Sequence, residues 1–234
     1  MTIASILPRL RKSFVESAGT IVFGMEDGTV SIFGLVFGVA ATTSSSVAVL
    51  VAGASGAAAA AVSMMAGAYL DAETSRDELA AREGHLGADL ALNDSATFAL
   101  VSKRLAAAGL TPQLSNALID AVRRDHDALT GLLAALRGMP AAQLDPREQA
   151  LWMLLADFLS AAVPIMPFML LPVAEARIIS AIITIALLAA LGVGRAQIGS
   201  RNVLRTVAET VSMGIAAALA GVAIGMLINR GFGA

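Results

Sequence analysis

Long apolar stretches alternate with short polar ones along most of this 234-residue chain. A helix needs roughly 20 apolar residues to cross about 30 Å of hydrocarbon. Five stretches satisfy this requirement, and they cover residues 20–42, 47–70, 150–171, 178–194 and 207–228. The pattern therefore predicts an all-α membrane protein with five transmembrane helices.

One polar segment is much longer than the others, and it separates the second span from the third. Its first part, residues 71–90, is predicted to continue the second helix beyond the apolar stretch. Cap residues then predict new helix starts at Asp94-Ser95, Thr111-Pro112 and Asp145-Pro146. The chain is thus expected to have three parts: a lead-in with spans one and two (1–70), a small helical insert (71–148), and spans three to five (149–234).

Basic residues are unevenly distributed among the polar connections. Of the 16 Lys and Arg residues, all but Arg177 and Arg230 precede span one, lie in the insert, or join spans four and five. Loops on the cytosolic side of a membrane carry an excess of Lys and Arg. The N-terminus, the insert and the 195–205 loop are therefore expected in the cytosol, and the C-terminus outside.

Composition supports a membrane protein and excludes several other classes. Apolar residues make up 57% of the chain and charged residues 15%, against about 45–50% and about 25% in soluble domains. A net charge of −2 provides no basic surface for nucleic acid. The chain lacks cysteine and the common hydrolase, nucleotide-binding and metalloprotease motifs. We therefore predict neither an enzyme nor a bound cofactor.

Two of the spans carry carboxylates, which are rare inside membranes. Glu26 and Asp27 lie in span one and Asp157 in span three, and a mid-membrane carboxylate costs about 2.5–3.5 kcal/mol on insertion scales. At about 1.5 Å per residue, Asp27, Met64 and Asp157 each lie about 10 Å below the same membrane surface. Two carboxylates and a thioether suit a divalent metal of intermediate softness. The candidate metal ligands are Asp27, Met64 and Asp157, with Glu26, Met65 and Met153 alongside.

A second, cytosolic metal site is a weaker candidate. The insert contains acidic and imidazole side chains that bind divalent ions when they converge: Glu73, Asp77, Glu83, His85, Asp89 and His126. Such a run of charge is also typical of a solvated helix face. Similarly, a methionine in an apolar span is more often a packing residue than a ligand.

Small residues follow Asp27 along one face of span one. Gly34 and Gly38 form a GxxxG step, and Gly221 and Gly225 form another in span five. Small residues allow two helices to approach closely inside a membrane. We expect these faces to join two copies in a homodimer; the alternative is that the glycines pack within one subunit.

Four stretches resemble the vacuolar iron transporter family: FGMEDGTVSIFGLVFGVA, SMMAGAYL, VPIMPF and GIAAALAGVAIGMLI. The resemblance implies a five-span homodimer that moves Fe²⁺, sometimes Mn²⁺, out of the cytosol in exchange for protons. It places the family's span-one aspartate on Asp27 and its span-two methionine on Met64. Bacterial members of the family imply an inner-membrane location, with metal ions, protons and the lipid bilayer as partners.

The sequence departs from the family pattern at two acidic positions. The family usually has a glutamate two turns before the span-two methionine and often an acid near its end, where this chain has Gly56 and Ala68. We expect Asp157 to supply the missing span-two carboxylate. The alternative function is a membrane scaffold or metal-sensing protein that does not transport.

Overall fold

The computed structural model describes residues 3–92, 99, 101–103, 105, 110–122 and 145–232. Throughout these ranges the regular elements are helices, and no strand is present. The helices with defined bounds are α1 (Ile3–Glu16), α2 (Ala18–Ala40), α3 (Ser46–Leu92), α4 (Pro112–Val122), α5 (Pro146–Ile165), α6 (Pro167–Leu170), α7 (Val173–Ile198) and α8 (Val203–Phe232).

Five of these helices are long and apolar enough to cross a membrane. The spans cover Ala18–Ala40, Ser46–Glu78, Pro146–Ile165, Val173–Ile198 and Val203–Phe232. Large apolar side chains are exposed on their outer faces; Leu204, for example, is 81% exposed and Leu227 71% exposed. Exposure on this scale fits contact with lipid rather than water. The predicted all-α membrane protein with five spans is confirmed.

The chain forms two compact units. One comprises residues 1–70 and 144–234, and the other residues 71–143. In the second unit α3 continues to Leu92, as predicted, and α4 begins at Pro112, one residue after its predicted cap. Val101 and Leu105 are buried there. The predicted cap at Asp94-Ser95 lies outside the described residues.

Helix α2 lies at the centre of the membrane unit. It packs against α5, α7 and α8, and Gly53 and Gly56 bring α3 against Val36 and Leu35 on another face. Ile32 and Val36 of α2 are buried in a core that also includes Ala161 of α5. The span that carries the two adjacent acids therefore contacts all four other spans, while Phe23 and Leu35 on it are exposed.

Glycines set the distance between α2 and α8. A Cβ atom at Gly34 would lie 2.9 Å from the Ala217 carbonyl oxygen, and one at Gly38 would lie 2.8 Å from that of Gly221. In turn, Cβ atoms at Gly221 and Gly225 would collide with the carbonyls of Gly34 and Gly38. These glycines therefore contact one another within one chain, which is the alternative to joining two copies, and the homodimer stays a prediction.

Two further glycines bring α2 against α5. A Cβ atom at Gly24 would lie 2.8 Å from the Met153 sulfur, and one at Gly28 would collide with the Asp157 carbonyl oxygen. Only a residue without a side chain allows the two backbones to approach this closely. Gly28 therefore fixes the level at which α5 presents Asp157 to α2.

Local signals in the sequence define both ends of α5. The Asp145 side chain accepts a hydrogen bond from the Arg147 amide at 2.9 Å, and Pro146 occupies the first helical position. At the other end α5 ends at Ile165. The C-cap residue Met166 is followed by Pro167, which lacks an amide proton. The Ser180 hydroxyl of α7 donates to the Pro164 carbonyl at 2.7 Å. The predicted third span, which continued to residue 171, is therefore interrupted at this turn.

The close approach of α2 and α8 predicts a large difference between two identical substitutions. Gly221→Ala places a methyl group against the Gly34 carbonyl, whereas a methyl group at Gly194 meets nothing within 4 Å. Overpacking of this kind costs about 1–3 kcal/mol, while alanine at an open helical site is favourable by about 1 kcal/mol. Thermal unfolding in detergent should show a lower midpoint for Gly221→Ala and an equal or higher one for Gly194→Ala. Equal midpoints for the two variants would contradict the described packing.

Candidate metal site

Asp157 lies in the middle of α5 and is completely buried. Among the described residues neither of its carboxylate oxygens has a hydrogen-bond partner. The nearby Ser160 hydroxyl donates to the Asp157 backbone carbonyl at 2.9 Å and not to the carboxylate. An unpaired buried charge is costly, so such a group either holds a proton or binds a cation. Asp157 is thus a candidate ligand for a cation.

Asp27 is brought into the neighbourhood of Asp157 by the α2–α5 contact. Gly28, the next residue, lies against the Asp157 backbone. Asp27 itself is half-buried. The structure therefore places these two predicted carboxylates at one level of the membrane unit, on facing helices.

Met64 lies at the same level, as the packing of α3 on α2 shows. The two helices are antiparallel, and Gly56 of α3 contacts Leu35 and Ile32 of α2. Met64 follows Gly56 by eight residues on α3, and residues 24 and 27 precede Ile32 and Leu35 by eight residues on α2. Met64 therefore lies opposite residues 24–27. Met64 is half-buried, so its thioether lies on a packed part of the helix surface.

The other two predicted methionines also lie near this level. Met153 is 5% exposed, and its sulfur lies against Gly24 of α2. It is one helical turn from Asp157 on α5. Met65 is half-buried on α3 next to Met64. The sulfur atoms of the three predicted methionines thus lie level with the first half of α2.

Glu26 is already engaged by two side chains. Its Oε2 atom lies 3.3 Å from Arg195 Nη1 of α7, and its Oε1 atom accepts a hydrogen bond from the Thr210 hydroxyl of α8 at 3.1 Å. The sequence provided no reason to pair Arg195 or Thr210 with Glu26. Arg195 immediately follows the predicted fourth span, so its position in the sequence indicates only which side of the membrane that end of the span faces.

A cavity of about 450 Å³ lies between α2, α7 and α8 at the end of the unit where α2 begins. Its lining includes six residues near the acids: Phe23, Glu26, Asp27, Arg195, Thr210 and Met213. The cavity gives Asp27 a space at its side that Asp157, being fully buried, does not have. A cation entering from this end would meet Asp27 before Asp157.

Within the described ranges, no three acidic or histidine side chains converge as a metal-binding group. The central site of two carboxylates and thioethers therefore stays a prediction. Of the cytosolic candidates, Glu73 and Asp77 are exposed on α3. The side chains of Glu83, His85 and Asp89 lie outside the described part of the chain, as does all of His126.

The position of the missing family glutamate has a structural explanation. A Cβ atom at Gly56 would lie 2.9 Å from Leu35 Cδ2, so the leucine fills the space that a longer side chain would need. Ala68, the second departure, is half-buried on the same helix. Asp157 lies on α5, and its expected role as a replacement for this acid stays a prediction.

Comparison with known proteins identifies the family to which the chain belongs. The model of the VIT family matches residues 18–226, which include the first four spans and most of the fifth. "Vacuolar iron transporter 1" of Arabidopsis thaliana is 27% identical over 219 residues, which cover 92% of this chain and 87% of that protein. "Vacuolar iron transporter 1" of Eucalyptus grandis is 27% identical over 209 residues, which cover 88% and 84%. The resemblance noted in the sequence is thereby confirmed, and the chain belongs to the VIT family.

Proposed function

We propose that this protein moves a divalent transition metal, Fe²⁺ or Mn²⁺, out of the cytosol in exchange for protons. The observation that carries the proposal is Asp157, a buried carboxylate without a hydrogen-bond partner among the described residues. Its backbone lies against Gly28, the residue that follows Asp27. Relatives over most of the chain are named vacuolar iron transporters, which supports a metal as the cargo. The five spans supply the membrane path that such a function requires.

The ligand set suits this class of metal. Two ionised carboxylates balance the charge of one divalent cation, so the loaded site is neutral in a medium where net charge is costly. Carboxylates alone would favour hard ions such as Mg²⁺ or Ca²⁺. The Met64 thioether, level with Asp27, adds a soft ligand that shifts the preference toward Fe²⁺.

Proton exchange follows from the same pair of carboxylates. Two neighbouring buried carboxylates resist carrying two negative charges, so the pair holds a proton when no metal is bound. A metal binds only the ionised ligands and therefore displaces that proton. Loading and release of the metal are then linked to movement of protons in the opposite direction.

The proposed direction depends on orientation in the membrane. Basic residues cluster at the end of the unit where α2 and α5 begin, and the positive-inside rule puts that end in the cytosol. The cavity beside Asp27 opens at the same end. Metal would thus enter from the cytosol and leave at the end where α2 meets α3.

A second function is favoured by one observation. Leu35 fills the space beside Gly56, where the family carries a carboxylate, so this chain has one acid fewer on α3. A protein that binds the metal and reports it, without moving it, would tolerate that loss. Binding of Mn²⁺ by the purified protein without flux would favour this sensor over the transporter.

The first prediction concerns flux in reconstituted liposomes. External Fe²⁺ or Mn²⁺ should quench a metal-sensitive dye inside the vesicles and, at the same time, make the lumen more alkaline, as reported by a pH dye. Flux should rise with pH on the side from which the metal loads, since binding releases protons. Asp27→Asn and Asp157→Asn retain side-chain volume but remove the charge, and each should reduce flux to the level of protein-free vesicles.

A matched control uses an acid away from the site. Glu175 is exposed in the first turn of α7, at the opposite end of the unit from the cavity. Glu175→Gln should therefore retain wild-type flux, and all variants should show wild-type unfolding midpoints within about 2 °C. Normal flux by Asp157→Asn beside an inactive Asp27→Asn would mean that Asp157 does not replace the missing acid.

The role of the thioether can be tested through metal preference. Met64→Leu keeps an apolar side chain of similar size and removes only the sulfur. We expect Fe²⁺ flux to fall several-fold and Mn²⁺ flux to change less, because the softer ion gains more from sulfur. Met169→Leu, at an exposed site on α6, serves as the control. An equal fall for both metals would show that Met64 acts through packing.

Orientation is open to a direct test, since the chain contains no cysteine. A single cysteine at Ser44, exposed between α2 and α3, should react with a membrane-impermeant maleimide added from outside intact cells. A cysteine at Lys12, whose side chain is 75% exposed, should react only after the membrane is opened. The reverse pattern would invert the proposed direction of transport.

A further inference from the structure

Glu26 is linked to two other spans of the membrane unit, to α7 by an ion pair and to α8 by a hydrogen bond. Arg195 of α7 lies 3.3 Å from one of its carboxylate oxygens, and Thr210 of α8 donates to the other. The side chain of Glu26 is only 13% exposed, and that of Arg195 is 36% exposed. Both oxygens therefore contact α7 and α8, neither of which carries Asp157.

This pair is next to the proposed metal site. Glu26 directly precedes Asp27, and both line the same 450 Å³ cavity as Arg195. The other arginine in the lining, Arg201, pairs with Glu209 at 3.4 Å, and Arg205 pairs with the same acid at 3.0 Å. Arg195 is therefore the arginine in this cavity that is committed to Glu26.

The charge balance of the site depends on whether Glu26 is neutralised. Asp27 and Asp157 together carry two negative charges when ionised, which one divalent cation cancels. An unpaired Glu26 beside them would add a third negative charge in a region of low dielectric constant, where attraction for a cation is strong and long-ranged. A cation held by three acids binds more tightly and leaves more slowly.

We propose that Arg195 is a positioning residue that neutralises Glu26 and holds it out of the metal site, so that the cargo meets only two carboxylates and can be released. This inference rests on the proposed function and deepens it. Thr210 supports the same arrangement by fixing the second oxygen of Glu26. The arginine thus lowers the affinity of the site for the metal, so that the metal is released faster.

A purely structural role for the pair leads to different expectations. If Arg195 only ties α2 to α7, its loss should weaken the fold and lower flux without tightening metal binding. Removing Glu26 as well should then give no recovery, because the tie is already broken. The two roles are therefore separated by affinity and by the double variant.

The experiment compares four variants with the wild type: Arg195→Met, Arg195→Lys, the double variant Arg195→Met with Glu26→Gln, and Arg205→Met. Arg205→Met is the matched control, because it removes another arginine paired with a glutamate at the same end of the unit. Calorimetric titration of the purified proteins with Mn²⁺ gives the Kd. Flux into liposomes gives KM and the maximal rate separately.

We expect Arg195→Met to lower both the Kd for Mn²⁺ and the maximal rate by about tenfold or more, since an unpaired charge acts directly on the cation. Arg195→Lys, which keeps the positive charge, should stay near the wild type, and so should Arg205→Met. The double variant removes both charges and should recover wild-type Kd and most of the maximal rate. An unchanged or higher Kd for Arg195→Met, or no recovery in the double variant, overturns the inference.

Failure of this inference is distinguishable from failure of the proposed function. If the wild type moves Mn²⁺ and Asp27→Asn does not, the function stands, and the Arg195 variants decide the inference alone. If the wild type binds Mn²⁺ without flux, the Kd comparison still decides whether Arg195 limits affinity. A wild type that neither binds nor moves Mn²⁺ overturns both.

Discussion

The structure depends on how closely the backbone of α2 approaches its neighbours. Gly24 and Gly28 bring it against α5, and Gly34 and Gly38 bring it against α8, with contacts to backbone carbonyls that no side chain would permit. Lipid gives no hydrophobic drive for helix association, so such close packing is a main source of cohesion. Because Gly28 lies against the Asp157 backbone, the same contact that holds the helices together also places the two aspartates beside each other.

The electrostatics of the site follow from this packing. A carboxylate buried without a partner is unfavourable as an ion, and a second one nearby makes full ionisation more so. Such a pair is stable with a proton or with a divalent cation, and the exchange of one for the other is what a metal–proton antiporter needs. The third acid, Glu26, is bound by Arg195 and Thr210, and we infer that this pairing keeps its charge out of the balance. A site with two charges, rather than three, matches a cation that must also leave.

Relatives at 26–27% identity show how far the family can change around a fixed five-span frame. The resemblance places Gly56 where the family usually has a span-two glutamate, and Leu35 occupies the space beside Gly56. We propose that Asp157 on α5 supplies the charge instead. Under this proposal the number of charges is preserved, which is the quantity that a divalent cargo constrains.

The sequence by itself determined the number of spans, the long segment between spans two and three, the first residue of α4, the cap of α5, and how far along their helices Asp27, Met64 and Asp157 lie. These follow from local physics: apolar length, cap chemistry and a fixed rise per residue. Only the tertiary structure decided that Gly34 and Gly38 pack on Gly221 and Gly225 within one chain, and that Glu26 is held by Arg195. A glycine stripe favours close approach equally to any helix, and a charge next to a span reveals its depth but not its partner. Both choices depend on the relative placement of helices far apart in sequence.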